Sequence, residues 1–242
     1  MKKIVVAIAF LVMSSMVLEA QNNFRFGFQA SPTFSWMSSN DNKINGTGSN
    51  LGGKLGVMAE YYFDAEQKYA FVSGLGFAFN QGGKLKHDVG GNYWPDSDLS
   101  LPGLDSLQAG ATLHYKLQYV EIPLGLRMNT RYFGSIRYYA ELPIFTIGLL
   151  TAARGDIIGT NNDTEKENIR KDVAFFNMSW GFGGGAEYEI SEGTTLIGGL
   201  FYNQSFIDLT SDDAVKYSGS GSESEDSKGS FGTLTVRLGV MF

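Results

Sequence analysis

Charged residues stand at alternating positions inside segments that are otherwise apolar. In a β-strand this spacing places them on one face, opposite the apolar side chains. If the apolar face meets lipid, the charged face lines the interior of a barrel, where buried charges must pair. Such a set could fill the interior as ion pairs or form a gated path for protons or small ions. The residues on this face are Arg25, Lys54, Glu60, Glu121, Arg127, Arg137, Glu141, Glu187 and Arg237.

The chain has two histidines, the usual bases for catalysis near neutral pH. His114 is followed by Tyr115 and Lys116, so the His-x-Ser spacing of barrel deacylases is missing. His87 stands beside Asp88 in a polar stretch, where we expect a solvated side chain. We therefore predict a protein that is not an enzyme and has no catalytic residues, with a lipid-modifying enzyme as an alternative.

Two acidic stretches could offer oxygen ligands to calcium, or to cations that bridge lipopolysaccharide. The ligand spacing of an EF-hand loop is absent, and acidic Ser/Gly-rich loops are usually solvated. We expect no metal site and no cofactor. The residues are Asp96, Asp98 and Asp105 in one stretch, and Asp212, Asp213, Glu223, Glu225 and Asp226 in the other.

The segments that carry the charges are strand-like, with an apolar–polar period of two. Each is long enough to cross a bilayer at a tilt, which takes about 9–11 residues. In the fourth segment the apolar phase shifts near Tyr119, which predicts a bulge and a flip of the faces. The predicted strands are Phe24–Trp36, Leu51–Tyr62, Tyr69–Gln81, Thr112–Asn129, Ser135–Thr151, Val173–Ile190, Thr194–Leu209 and Phe231–Phe242.

These segments predict an all-β fold, an eight-stranded antiparallel up-and-down transmembrane β-barrel in which the first strand pairs with the last. Aromatic residues near strand ends, among them Trp36, Tyr61 and Tyr62, are expected at the membrane interface. Long loops at one end and tight turns at the other are typical of outer-membrane barrels. We therefore expect extracellular long loops and periplasmic termini. The predicted long connections are 37–50, 82–111, 152–172 and 210–230.

Residues 1–20 are predicted to be a secretory signal peptide, with Lys2 and Lys3 ahead of the apolar run Ile4–Leu18. Residues 21–242 then form a single outer-membrane β-barrel domain. The absence of cysteine excludes disulfides, and a net charge of −6 argues against nucleic acid as a partner.

Three segments resemble the small outer-membrane β-barrel family of Bacteroidota often labelled PorT-like, which is OmpA-like in architecture. They are Tyr119–Leu126, Trp180–Tyr188 and Leu200–Gln204. The resemblance implies an eight-stranded integral barrel, and the founding member of the family is linked to protein secretion. It also implies that Phe242 is an assembly signal, because a terminal aromatic residue is usual there. At Glu141 the chain departs from the small residue expected in the fifth strand.

We interpret the chain as a non-enzymatic integral outer-membrane protein, a structural or docking subunit of a cell-envelope assembly. The alternatives are a narrow channel and an accessory of protein secretion or transport. A water-soluble lipocalin-like barrel would have an apolar cavity, which the inward charges disfavour. The expected partners are outer-membrane lipid and lipopolysaccharide, the barrel-assembly machinery, and envelope or secretion-system proteins.

Overall fold

The computed structural model describes residues 23–100, 106–160, 163–210, 213–218 and 221–242. The predicted signal peptide lies outside these residues. Within them no helix is both long enough and apolar enough to cross a membrane. The strands are β1 (Phe24–Ser39), β2 (Ile44–Tyr62), β3 (Tyr69–His87), β4 (Gly91–Asn92), β5 (Thr112–Asn129), β6 (Ile136–Ile158), β7 (Thr164–Asn168), β8 (Phe176–Ser191), β9 (Thr194–Ser205), β10 (Val215–Ser218), β11 (Gly221–Ser224) and β12 (Gly229–Met241), with a 3-10 turn at Arg170–Asp172.

Eight of the strands in the described part of the chain close into an antiparallel barrel. Their order is β5-β3-β2-β1-β12-β9-β8-β6, and β5 also pairs with β6. The first and last strands pair from Gly27 with Met241 to Ser39 with Gly229. Each barrel strand therefore lies beside its neighbours in the chain, and closure leaves none of the eight with a free edge. The predicted eight-stranded up-and-down barrel is confirmed.

Tight connections lie together at one end of the barrel, which we call the turn end. They are residues 63–68, 130–135 and 192–193. Asp64 accepts hydrogen bonds from the backbone N–H groups of Lys68 and Tyr69, at 3.0 and 2.9 Å. Gly134 and Gly193 have φ angles of 66° and 78°, which glycine adopts without a steric penalty.

At the opposite end, which we call the loop end, five barrel strands, β1, β2, β3, β6 and β12, are longer than the sequence predicts, whereas β8 begins at Phe176 and β9 ends at Ser205, short of their predicted bounds Val173 and Leu209. β1 ends at Ser39 and β2 begins at Ile44, so most of the predicted loop 37–50 is strand. β3 likewise continues to His87, into the predicted loop 82–111. The apolar side chains of Met37, Ile44 and Leu85 are buried at this end. Their burial inside the barrel keeps the hydrogen-bonded ladder intact beyond the point where the outward residues become polar.

The faces of β5 do not flip, so the phase change predicted near Tyr119 is wrong. Leu113, Tyr119 and Arg127 are all buried on the same inward face. The register does shift at this level, but the extra residues lie in the neighbouring strands, at Thr151 in β6 and between Ala78 and Gln81 in β3. The apolar side chains of the first half of β5 face inward because an apolar core fills the loop end.

The outer surface carries exposed large apolar side chains on every strand of the barrel. Monomeric soluble proteins rarely expose so extensive an apolar surface, whereas a barrel in lipid requires it. Tyr61 is exposed as predicted, but Tyr62 is fully buried inside the barrel, so its predicted interface position is wrong. Tyr62 has the inward parity of Glu60, two residues earlier on β2. We call the exposed apolar surface the apolar belt; it includes Phe28, Leu55, Phe77, Leu126, Phe145, Phe182, Leu200 and Leu238.

Candidate functional site in the barrel interior

The structure places every one of the predicted inward charges inside the barrel. Lys54 and Glu121 form a separate pair, with the Lys54 Nζ atom 2.6 Å from a Glu121 carboxylate oxygen. The others form one connected group towards the turn end, which we call the Arg–Glu cluster. Its members are Arg25 on β1, Glu60 on β2, Arg127 on β5, Arg137 and Glu141 on β6, Glu187 on β8 and Arg237 on β12.

Arg127 is the centre of the Arg–Glu cluster and is almost completely buried. Its Nε and Nη2 atoms donate to one carboxylate oxygen of Glu141, at 3.0 and 2.6 Å. Its Nη1 atom donates to Glu187 at 2.7 Å and also pairs with Glu60. The guanidinium lies 4.1 Å from the centroid of the Tyr139 ring, which adds a cation–π contact.

Glu187 joins three arginines. One of its oxygens accepts hydrogen bonds from Arg137 Nε at 2.7 Å and from Arg25 Nη1 at 3.1 Å, and the other accepts from Arg127. Glu187 is fully buried. A buried carboxylate with this many charge-assisted bonds fixes three side chains from three different strands.

Sequence reasoning missed the neutral members of this region. The Tyr62 hydroxyl donates to Glu60 at 2.8 Å and accepts from Arg25 at 3.1 Å and Arg137 at 2.7 Å. The parity of β2 could have placed Tyr62 inside. Arg237 donates to Glu141 at 2.6 Å, and its guanidinium lies 3.6 Å from the centroid of the Phe201 ring.

The Arg–Glu cluster carries an excess of positive charge. Four arginines, Arg25, Arg127, Arg137 and Arg237, face three carboxylates, Glu60, Glu141 and Glu187, so the formal charge is +1. The Lys54–Glu121 pair adds nothing to this sum. A void of about 20 Å³ borders Glu60, Arg127 and Arg237. That volume holds about one water molecule, so the side chains fill this half of the barrel.

The loop end is filled by apolar side chains and by the β3–β5 connection. The Trp94 ring from this connection is buried, and its Nε1 atom donates to the Tyr115 hydroxyl at 3.1 Å. Gly155 on β6 makes room for the indole, because a Cβ atom there would collide with its six-membered ring. The same connection is tied to the β6–β8 connection, where Asp172 accepts hydrogen bonds from the Asp96 N–H group at 3.0 Å and from the Ser97 hydroxyl.

The two histidines lie away from the Arg–Glu cluster. His87 is buried, so the expected solvated side chain is wrong: it packs against Tyr93, with ring centroids 3.8 Å apart. Burial removes the His87 ring from water because Tyr93 and Leu85 belong to the apolar core. His114 contacts the Asp156 carboxylate at 3.1 Å and the Asn50 amide oxygen at 2.7 Å. Neither partner of His114 is a serine, threonine or cysteine.

The acidic stretches do not converge in the part of the chain that the structure describes. There, no three His, Asp or Glu side chains are grouped so that they could hold a metal ion. Asp105 and Asp212 lie outside the described residues. Asp41, near the loop end, instead pairs with Lys216 of β10 at 3.3 Å. A hydrogen bond from the Lys43 N–H group and the charge of Lys216 hold the pKa of Asp41 below its usual value.

Comparison with known proteins gives one family match and several remote structural matches. The family model described as outer membrane protein beta-barrel domain matches residues 19–211. Neisserial surface protein A is 12% identical with a TM-score of 0.42, and the match covers 89% of this chain and 95% of that one. OprG from Pseudomonas aeruginosa is 12% identical with a TM-score of 0.39, covering 91% and 97%. The protease OmpT from Escherichia coli is 10% identical with a TM-score of 0.38, covering 92% and 97%. No curated protein matches the chain.

Proposed function

We infer the function from one premise: the chain belongs to the outer membrane protein beta-barrel domain family, whose model matches residues 19–211. It is therefore an integral protein of the outer membrane, and the exposed apolar belt is its lipid-facing surface. From this premise we propose that the barrel is a filled, non-enzymatic scaffold that serves as a structural or docking subunit of a cell-envelope assembly.

The observation that carries this proposal is the filled interior. Towards the turn end, Arg127 and Glu187 are buried among opposite charges, and towards the loop end Trp94 closes the barrel over Tyr115. An eight-stranded barrel has an interior just wide enough for its side chains. A scaffold needs no more than this, whereas a channel needs side chains that can move apart.

We propose that the loop end faces the outside of the cell and that the turn end, with the start of β1 and the end of β12, faces the periplasm. The arrangement of tight turns and longer connections supports this orientation. The surface offered to partners is then the β10–β11 hairpin, which pairs with β4, together with the connections that cover the barrel.

Membership of the PorT-like group and a link to protein secretion belong to the same proposal. They rest on the resemblance of segments such as Tyr119–Leu126. We propose outer-membrane lipid, lipopolysaccharide, the barrel-assembly machinery and envelope or secretion-system proteins as partners.

Planar-bilayer recording of the purified protein tests the filled scaffold directly. We expect no large steady conductance from the unmutated barrel. Large, stable, ohmic channels would reject the scaffold and make the narrow channel the leading function.

Copurification in mild detergent, followed by mass spectrometry, tests the docking role and identifies the partner. A barrel isolated without an envelope protein would reject the docking role.

An epitope inserted near Ser222 of β11 tests the orientation. Antibody should reach it on intact cells. The same epitope in the 63–68 turn is the matched control and should be reached only after the outer membrane is broken. The reverse pattern would place the loop end in the periplasm.

A further inference from the structure

Basic side chains gather on the outer surface of β3, β5 and β6, just beyond the apolar belt at the loop end. They are Lys84 and Lys86 on β3, Lys116 on β5 and Arg154 on β6. We call them the basic patch. Lys86 and Arg154 are exposed, and Lys84 and Lys116 are partly exposed.

Strand register makes Lys84, Lys116 and Arg154 neighbours, and Lys86 lies two residues beyond Lys84 on the same face of β3. Lys116 pairs directly with Arg154 across β5 and β6, and with Gly82 across β3 and β5. Lys84 pairs with His114, so it is diagonal to Lys116 on the same surface. Direct cross-strand neighbours have Cβ atoms about 5 Å apart, and diagonal neighbours lie about 7–8 Å apart. Like charges directly opposite each other destabilise a sheet, so an anion held between them would stabilise this one.

The protein itself supplies little compensating charge here. Asp156 pairs with both Lys116 and His114. In the described parts of the chain, no carboxylate lies within 4.0 Å of the charged groups of Lys84, Lys86 or Arg154. With Asp156 and the nearby Asp88, which accepts a hydrogen bond from Asn45 beside Lys86, counted against the four cations, the basic patch has a formal charge of +2 in a chain whose net charge is −6.

Lys116 is the member of the basic patch on β5 and lies close to the height of the phosphates of a membrane, whereas Lys84 and Lys86 pair with His114 and Thr112, farther from the apolar belt. Val120 is the last outward apolar residue on β5, and Lys116 stands four positions farther along the strand. Four residues span about 13 Å of strand, or about 10 Å along the membrane normal at the usual tilt. The headgroup region extends roughly 5–8 Å beyond the hydrocarbon core, and lysine side chains can bend towards it.

We propose that Lys84, Lys86, Lys116 and Arg154 bind the phosphates of lipopolysaccharide in the outer leaflet. The inference rests on the proposed orientation, because lipopolysaccharide lies only on the outer side of this membrane. Cations on three adjacent strands, with neighbouring Cβ atoms about 5–8 Å apart, suit a headgroup with more than one phosphate better than a phospholipid with a single phosphate. The four residues hold one face of the barrel against the lipid through charge-assisted hydrogen bonds.

Native mass spectrometry of the full barrel in detergent tests the proposal, with titrated lipopolysaccharide, its dephosphorylated form and phosphatidylglycerol as probes. Lys116 is left intact so that Asp156 keeps its partner. Each basic residue near an anionic lipid contributes on the order of 1 kcal/mol, so removing three should weaken binding roughly tenfold or more. The test variant is K84Q/K86Q/R154Q, and the control with the same charge change elsewhere at the loop end is K43Q/K171Q/K228Q.

We expect the parent and the control variant to retain phosphorylated lipopolysaccharide and the test variant to lose it. Equal retention by the test variant would reject the basic patch. Equal retention of the dephosphorylated form would reject phosphate as the ligand, and equal retention of phosphatidylglycerol would reject lipopolysaccharide as its source. Heat modifiability shows that each variant is folded. The assay in detergent does not depend on orientation, so an inverted barrel would fail the epitope test alone.

Discussion

Arg127 and Glu141 face each other across β5 and β6, and the guanidinium donates two hydrogen bonds to a single carboxylate oxygen, at 3.0 and 2.6 Å. Both side chains are almost fully buried. The same oxygen also accepts a bond from Arg237 at 2.6 Å. One carboxylate oxygen therefore balances two guanidinium groups, which makes the acidic members of the Arg–Glu cluster its scarce component.

Removing an acid from the Arg–Glu cluster should cost more stability than removing an arginine at its edge. Glu187→Gln leaves three guanidinium groups without a shared charge, and breaking a buried ion pair costs about 3–5 kcal/mol. Arg237→Gln removes the excess charge and leaves Glu141 paired with Arg127, so its cost should be smaller. Urea unfolding in lipid vesicles measures both variants. Equal losses would show that the charge excess has no energetic consequence.

Gly155→Ala should displace Trp94 from the loop end. The added methyl group collides with the indole ring, and overpacking of this kind costs about 1–3 kcal/mol. We expect faster proteolysis of the connection between β3 and β5, and a red shift of Trp94 emission when Trp36 and Trp180 are replaced by Phe. Gly198→Ala is the matched control, because a Cβ atom at Gly198 meets nothing within 4 Å. If both variants are cleaved like the parent, the indole does not close the barrel.

Phe242→Ala should lower the amount of folded, heat-modifiable barrel in cells, because we predict that Phe242 is an assembly signal. The Phe242 ring lies 5.7 Å from the Phe26 ring, between centroids, so the substitution also removes a contact in the folded state. Phe26→Ala removes the same ring contact while the predicted signal stays intact. The prediction requires the loss in Phe242→Ala to exceed that in Phe26→Ala, and equal losses would assign the effect to the ring contact.

The β10–β11 hairpin should be better protected at about pH 4.5 than at about pH 7.5. Burial raises the pKa of the Glu225 carboxyl above its usual value. An acid with a raised pKa in the folded state stabilises that state below its unfolded pKa of about 4.3, and the contribution is lost as the pH rises through the raised pKa. The lowered pKa of Asp41 acts in the opposite sense, but only at a pH below about 3.9. Burial lowers the pKa of His87 to about 4, so His87 also opposes the effect, because its contribution to stability is lost as the pH falls below about 6.5. The two pH values are therefore compared in a His87→Phe background.

Hydrogen exchange of residues 213–218 and 221–228, corrected for intrinsic rates, measures this protection. Glu225→Gln should abolish the difference between the two pH values because it removes the titrating group. A difference that persists in Glu225→Gln would assign the effect to another group, such as Asp172, whose pKa burial also raises.

The period of two was enough to predict the barrel and the direction of its charges. Once Leu126 is placed on the lipid side, the parity of β5 puts Arg127 inside, and no knowledge of the partner strand is needed. The partners themselves are not local information. The bonds of Glu187 come from three strands that are distant in the chain, so the sequence predicts an inward charge but not its contacts.

The loop end was predicted less well because an apolar face looks the same whether it meets lipid or a protein core. Leu113 and Leu117 alternate as lipid-facing residues would, but they are buried inside. They belong to the same buried cluster as Trp94. Trp94 lies in the connection between β3 and β5, whose sequence around this residue shows no apolar–polar alternation. Local pattern therefore gave the wrong face for the first half of β5.

The inward face of β5 changes from apolar at Leu113 to charged at Arg127, and this change affects how the stability of each end of the barrel depends on temperature. Near Arg127 the outer face of the barrel contacts lipid and the interior holds buried charges. Near Leu113 the interior instead buries apolar side chains away from water. Only the burial of apolar surface from water carries the large heat-capacity change that weakens it on cooling. The two ends of one continuous sheet should thus have different temperatures of maximum stability, and mild cooling should loosen the loop end while the membrane-embedded end stays rigid.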